Sequence, residues 1–142
     1  MSIVLDASSA LAWLFGRQHP AEAVLSQQTA RSVDSQGAIV AALWFPEVTN
    51  GLLVAERNRA VTQSQISGFQ ADLAALPIEM DSAPPESVQA SVLALARQTG
   101  LSAYDATHLE LAIRSKAQLA TFDRKLAEAA RFVGVIVFGD PA

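Results

Sequence analysis

The chain has 142 residues, 51% of them hydrophobic and 17% charged, a balance that supports one domain with a buried core and argues against disorder. With no cysteine, disulfides, zinc–thiolate centres and cysteine nucleophiles are excluded, and two histidines, His19 and His108, are too few for a His-rich zinc site. The N-terminus enters a strand-like segment with no basic leader, and no apolar run approaches the roughly 20 residues of a membrane span, so a cytoplasmic protein without membrane association is expected.

Short apolar runs alternate with amphipathic segments, the pattern of an α/β domain with a mainly parallel sheet of four or five strands. Strands are expected at Ser2–Leu5, Ala38–Ala42, Ile78–Met80, Gln118–Thr121 and Val133–Phe138. Ser8–Phe15, rich in Ala and Leu, reads as a buried helix. Pro20 opens a second helix running through Ala21–Gln28, and the polar stretch Arg31–Gly37 reads as a connection. Pro46 and Glu47 begin a helix that ends near Arg57. Thr62 is an N-cap for a helix carrying Ile66, Phe69, Leu73 and Leu76, stopped by Pro77. Pro84-Pro85 starts the helix of Val88, Val92 and Leu95, and Gly100 ends it. Ser102 caps a helix with the buried stripe Ala106, Leu109 and Ile113. A short helix, Arg124–Ala130, follows Asp123. No repeat, low-complexity tract or linker is present, so one domain over residues 1–142 is expected.

Four acids fall at one kind of place in this pattern. Asp6 ends Ile3-Val4-Leu5, Glu47 follows the run Ala38–Ala42, Asp105 lies in a first helical turn, and Asp123 comes just after Leu119-Ala120-Thr121. In an open parallel sheet the carboxyl ends of the strands lie along one edge, where such folds place their ligands. Carboxylates gathered there repel one another unless divalent cations sit between them, so the pattern points to a metal-dependent site for phosphate chemistry. Ser8, Asn50 and Thr121 stand close by in sequence as supporting polar groups. The net charge of −4 disfavours a broadly basic nucleic-acid face, but without these four acids the remaining 10 acids balance the 10 Lys and Arg. Arg57, Arg59, Arg114, Lys116, Arg124 and Lys125 follow the acids and are either a basic rim or solvated helix ends favoured by the helix dipole.

Each acid also has a local explanation. Asp6 and Asp123 suit helix N-caps, Ser102-Ala103-Tyr104-Asp105 fits a capping box with Asp for Glu, and Glu47 suits a first helical turn. What those explanations leave open is why all four recur at the same edge. Trp13, Phe15, Trp44 and Phe45 read as core or dimer contacts, and His108 as a packed or hydrogen-bonded histidine.

Four segments carry a family resemblance: Ile3-Val4-Leu5-Asp6-Ala7-Ser8-Ser9-Ala10-Leu11-Ala12-Trp13-Leu14, Trp44-Phe45-Pro46-Glu47-Val48-Thr49-Asn50-Gly51-Leu52-Leu53, Gly100-Leu101-Ser102-Ala103-Tyr104-Asp105-Ala106-Thr107-His108-Leu109-Glu110-Leu111-Ala112, and Leu119-Ala120-Thr121-Phe122-Asp123-Arg124-Lys125-Leu126. In order and spacing the chain resembles a PIN domain, and more closely the VapC toxins of VapBC toxin–antitoxin pairs. The resemblance implies a three-layer α/β/α sandwich and hydrolysis of RNA phosphodiester bonds, with tRNA or rRNA as substrate. It implies Mg²⁺ or Mn²⁺ held by Asp6, Glu47, Asp105 and Asp123 as metal-binding and catalytic acids, with Ser8, Asn50 and Thr121 in support. On that scheme Asp6 and Asp105 bind the principal ion, Glu47 positions the attacking water and Asp123 completes the site. It implies, too, a cognate VapB-type antitoxin and a homodimer built through the helices that include Trp44–Arg57 and Thr62–Leu76. Phe122 departs from the family pattern, which often has a small polar residue there. The competing readings are a non-catalytic PIN-like module that binds RNA or protein, and a receiver-like phosphotransferase with an aspartyl nucleophile at Asp6. Ser8 stands where that last class needs a second acid.

Overall fold

Strand β1 (Ile3–Leu5) is buried on both faces, as an all-apolar run in a parallel sheet requires. Its side chains alternate between two cores. Val4 joins Leu109, Leu119 and Leu126 on one side, while Ile3 and Leu5 join Val33, Trp44 and Phe69 on the other. The computed structural model of the chain describes residues 1–141. Around β1 the order is α1 (Ala7–Phe15), α2 (Pro20–Gln36), β2 (Ala38–Val40), α3 (Trp44–Arg57), α4 (Gln63–Ala75), β3 (Ile78–Met80), α5 (Pro85–Thr99), α6 (Ala103–Ser115), β4 (Gln118–Ala120) and α7 (Arg124–Phe132).

The strands form one parallel sheet in the order β3-β2-β1-β4, with Val4 opposite Ile39 on one side and Leu119 on the other. Helices α1 to α4 supply the core on one face of the sheet, and α5 to α7 supply the other. This is the expected three-layer α/β/α sandwich. The chain reaches β2 on one side of β1 and returns much later to β4 on the other. The crevice between the carboxyl ends of β1 and β4 is therefore a switch point of the topology, the place where open α/β sheets bind ligands.

Local signals explain most boundaries. Thr62 forms a full capping box with Gln65, each side chain bonded to the other's backbone N–H. Gly100 closes α5 in the left-handed conformation (φ 73°), which a side chain would strain. Helix α3 begins at Trp44, two residues before the expected Pro46, because proline in a first turn sacrifices no helical hydrogen bond.

Three expectations need correction. Arg31–Gly37 is no connection, since α2 continues to Gln36 and Gly37 (φ 80°) ends it. Its inward stripe is Ser26, Thr29 and Val33, and two of those three are hydroxyl residues, so the apolar periodicity is masked. Thr29 Oγ1 is satisfied by donating to the Leu25 carbonyl at 2.8 Å. The expected strand Val133–Phe138 shrinks to a single parallel bridge between Val137 and Leu119, with α7 and the turn at Gly134 consuming its first residues. Ile113 is exposed, while α6 buries a broad arc that includes Ala106, His108, Leu109, Leu111 and Ala112. Among the described residues no helix is long and apolar enough to cross a membrane.

Leu109 is fully buried where α6 crosses the sheet. Leu109→Ala is expected to lower stability by about 2–5 kcal/mol through the cavity it leaves. The measurement is a fall in the urea midpoint with an unchanged slope. An unmoved midpoint would show that α6 is not anchored there.

Candidate functional site

The end of β1 is tied across the switch point by polar contacts. Asp6 is buried; its backbone N–H donates to the Ala120 carbonyl at 3.2 Å, and its own carbonyl accepts from the Trp44 indole N–H at 3.3 Å. Its carboxylate caps α1, Oδ1 accepting from Ser9 N at 2.9 Å and from Ser8 Oγ at 2.7 Å. The other oxygen, Oδ2, accepts a short hydrogen bond from Thr121 Oγ1, a residue that follows β4. Thr121 Oγ1 in turn accepts from Asp123 N at 2.9 Å, and Ser8 Oγ accepts from Phe122 N at 2.9 Å. Each hydroxyl thus donates to Asp6 and accepts from the backbone after β4. Burial pushes the Asp6 carboxyl above its ordinary value, and the bonds from Thr121, Ser9 and Ser8 oppose that shift.

Asp123 is the N-cap of α7, its Oδ1 accepting from Leu126 N at 2.9 Å. Glu47, in the first turn of α3, is held by His108, whose Nε2 lies 2.5 Å from Glu47 Oε1. A carboxylate only accepts, so Nε2 carries the proton in this contact. His108 is fully buried, and its Nδ1 has no hydrogen-bond partner among the described residues. The packed, hydrogen-bonded histidine expected from sequence is present, and its bond runs to one of the four acids.

Asp105 is different. Ser102 Oγ accepts from Asp105 N at 3.1 Å, but the return bond of a capping box is missing. The Asp105 carboxylate accepts no hydrogen bond among the described residues, although the group is only partly exposed. Its carboxyl is held above the usual range, first by burial and next by repulsion from Asp123, with further repulsion from Glu47 and Asp6 and an opposing pull from His108. The other three acids therefore all act on Asp105. Of the supporting residues, Ser8 and Thr121 join the network, whereas Asn50 is exposed on α3 and makes no side-chain hydrogen bond among the described residues.

With the side chains as they stand, no three His, Asp or Glu groups among the described residues enclose an ion. The orientations account for this: Asp6 turns to Ser8 and Thr121, Asp123 to its helix, and Glu47 to His108. The donor chemistry nevertheless suits a hard divalent cation. Mg²⁺ keeps several waters and takes only one or two carboxylates directly, so it needs no all-protein cage. Asp105 has both oxygens uncommitted, and Asp123 and Glu47 each have one.

The sequence profile of the PIN domain matches residues 3–132. The chain belongs to the PIN domain family. PIN domains are generally metal-dependent nucleases, which fits an edge of oxygen donors at the switch point of an α/β sheet. Solved structures share the fold at low sequence identity. The structure of PAE2754 from Pyrobaculum aerophilum aligns with a TM-score of 0.67 at 19% identity, covering 97% of this chain and 90% of that one. The structure of FitAcB from Neisseria gonorrhoeae aligns with a TM-score of 0.63 at 20% identity, covering 96% of each. No curated protein matches the chain significantly by sequence.

Two contacts of this PIN domain were not visible in its sequence. Trp44 is a core residue that also holds the Asp6 carbonyl, and Arg17 lies over the Phe122 ring, its guanidinium carbon 4.5 Å from the centroid. Trp44 does stand three residues before Glu47, but one indole gives no hint of a partner 38 positions earlier.

Burial of Asp105, together with repulsion from the neighbouring acids, sets the sign of a stability test. A carboxyl whose folded-state pKa is raised binds its proton more tightly when folded, so it destabilises the fold above that pKa. The penalty fades as pH falls through the raised value toward the unfolded one. Asp105→Asn is therefore expected to melt at a higher temperature than the parent at pH 7 in EDTA, the gap closing as the pH approaches 3. A variant that melts no higher at pH 7 would mean that burial and the neighbouring acids together place no penalty on the Asp105 carboxylate.

Proposed function

We propose that this chain is a Mg²⁺- or Mn²⁺-dependent endoribonuclease of VapC type, whose site acids are Asp6, Glu47, Asp105 and Asp123. The observation that carries the reading is Asp105: a partly buried carboxylate with no hydrogen-bond partner among the described residues, repelled by the other three acids. Helix capping accounts for Asp6 and Asp123, but nothing structural accounts for Asp105.

A bound divalent ion would supply Lewis acidity toward the phosphodiester and lower the pKa of the hydrolytic water. Asp6 and Asp105 are the residues to hold it, Asp6 rigidly and Asp105 with both oxygens available. Asp123 adds negative charge and a free oxygen beside them. His108 fixes Glu47 through Oε1, leaving Oε2 to orient the attacking water and accept its proton. Ser8 and Thr121 keep Asp6 in place through their hydrogen bonds, and Asn50 on the exposed side of α3 is a candidate contact for substrate.

The biological reading is a toxin of a type II VapBC pair, acting on tRNA or rRNA in the cytoplasm as a single PIN domain. The concentrated negative charge suits neutralisation by a basic side chain of a VapB-type antitoxin. A homodimer through α3 and α4 is supported by Phe45, Leu53 and Val54, all exposed on α3, and by a groove of about 340 Å³ between those helices. The alternative is a non-catalytic PIN-like module that binds RNA or protein.

Asp6→Asn separates the two. Asparagine keeps the cap, its oxygen accepting from Ser9 N and Ser8 Oγ while its amide faces Thr121, so folding should survive. The parent is expected to cut RNA with Mg²⁺ or Mn²⁺ and to stop in EDTA. Asp6→Asn is expected to lose about a hundredfold or more of that activity with its circular dichroism unchanged. Cleavage by the folded variant at the parent's rate would remove Asp6 from the site.

A further inference from the structure

Beside the acids, on the far side of Asp123, lies a cleft of about 530 Å³. It is bounded by Thr121, Phe122 and Asp123 at the site and by the apolar side chains of Leu25, Val137 and Phe138 deeper in. Three arginines line it together with Glu22, Asp123 and Asp140, so its charge is balanced where that of the neighbouring edge is negative. Arg124 makes no ion pair or side-chain hydrogen bond among the described residues. Arg131 pairs with Asp140 on the surface, its Nε 2.7 Å from Oδ2.

Arg17 is the unusual member. Its guanidinium lies over the Phe122 ring, while a single nitrogen, Nη2, meets both Glu22 oxygens at 3.2 Å. That is a weak pairing compared with the two parallel bonds an arginine can make to a carboxylate. Nη1 makes no hydrogen bond among the described residues, and Nε is buried without a partner. The guanidinium is thus held in orientation by stacking, with donors unspent. Partly exposed pairs such as Arg17–Glu22 and Arg131–Asp140 are screened by solvent and contribute little by themselves.

We propose that this cleft receives the RNA strand next to the scissile bond, with Arg17, oriented on Phe122, and Arg124 binding the neighbouring backbone phosphate. The volume suits one nucleotide, and the apolar side chains suit a ribose and base. The inference rests on the ribonuclease reading for its choice of ligand. It differs in placing the contacts that position substrate outside the acids.

The test is binding in EDTA, where metal-dependent cutting is silent, so its outcome is separate from that of the cleavage assay. Fluorescence anisotropy of a labelled single-stranded RNA decamer is followed for the intact chain across a salt series. Arg17→Gln and Arg124→Gln are each expected to weaken binding about fivefold to tenfold and to lower the slope of log K against log salt, the double variant lowering it by about 0.7, the value for one phosphate on a single strand. Phe122→Leu leaves every charge in place and is expected to weaken binding a few-fold with the slope unchanged, which a purely electrostatic role for the cleft would not produce. Arg97→Gln, on α5, serves as the control and should match the parent. Parent affinity and slope in Arg17→Gln and Arg124→Gln would overturn the proposal, as would a parent that binds no RNA. Inorganic phosphate or an acidic peptide that displaces RNA at equal concentration would also overturn it, showing a general anion site or a protein-binding one. Thermal melts confirm folding, and if one arginine variant fails to fold, the other and Phe122→Leu decide.

Discussion

The hydrogen bond from Thr121 to Asp6 joins two strands that are far apart in sequence and fixes the pocket in which all else is arranged. A buried carboxylate is costly, and here the cost is offset by two hydroxyls and a backbone N–H, each bond to a charged group contributing about 1.5–3 kcal/mol. The same two hydroxyls accept from the N–H groups of Phe122 and Asp123, so the carboxylate orders the chain after β4 as well as the start of α1. Structural and chemical duties coincide in Asp6. Removing its charge and removing its side chain are accordingly different experiments.

The four acids divide by what the fold asks of them. Asp6 and Asp123 cap helices, Glu47 is bonded to a buried histidine, and Asp105 has no structural duty among the described residues. This division explains why the free protein tolerates so much negative charge at one edge. Three carboxylates are partly satisfied by donors, and the pKa of the fourth is raised by burial and by repulsion from the others. It also explains why no ready cage forms: the donors that stabilise the ion-free protein turn the oxygens away from a common centre.

Much of the fold was legible because β1 and β2 are short and wholly apolar, because β4 is short with Leu119 and Ala120 buried, and because Thr62 and Gly100 carry specific end signals. The second half of α2 was illegible because Ser26 and Thr29 take buried positions that periodicity assigns to apolar side chains. The fifth strand misled because its valines and isoleucine satisfy strand propensity, while α7 and the turn at Gly134 consume the residues needed for a ladder. At the site, the positions of the acids could be read from their place after the strands. Their partners could not, since the His108–Glu47 and Trp44–Asp6 contacts depend on how α6 and α3 pack against β1.

The strand order has a consequence for synthesis on the ribosome. Asp6 emerges long before its partner Thr121, since β4 docks beside β1 only after six helices and three strands have been made. A nascent chain that stops short of β4 has neither Thr121 nor Asp123, and β1 ends in a carboxylate without its cross-sheet donor. Whatever chemistry the edge supports is therefore withheld until translation has passed Asp123, a built-in delay for a protein made among RNA.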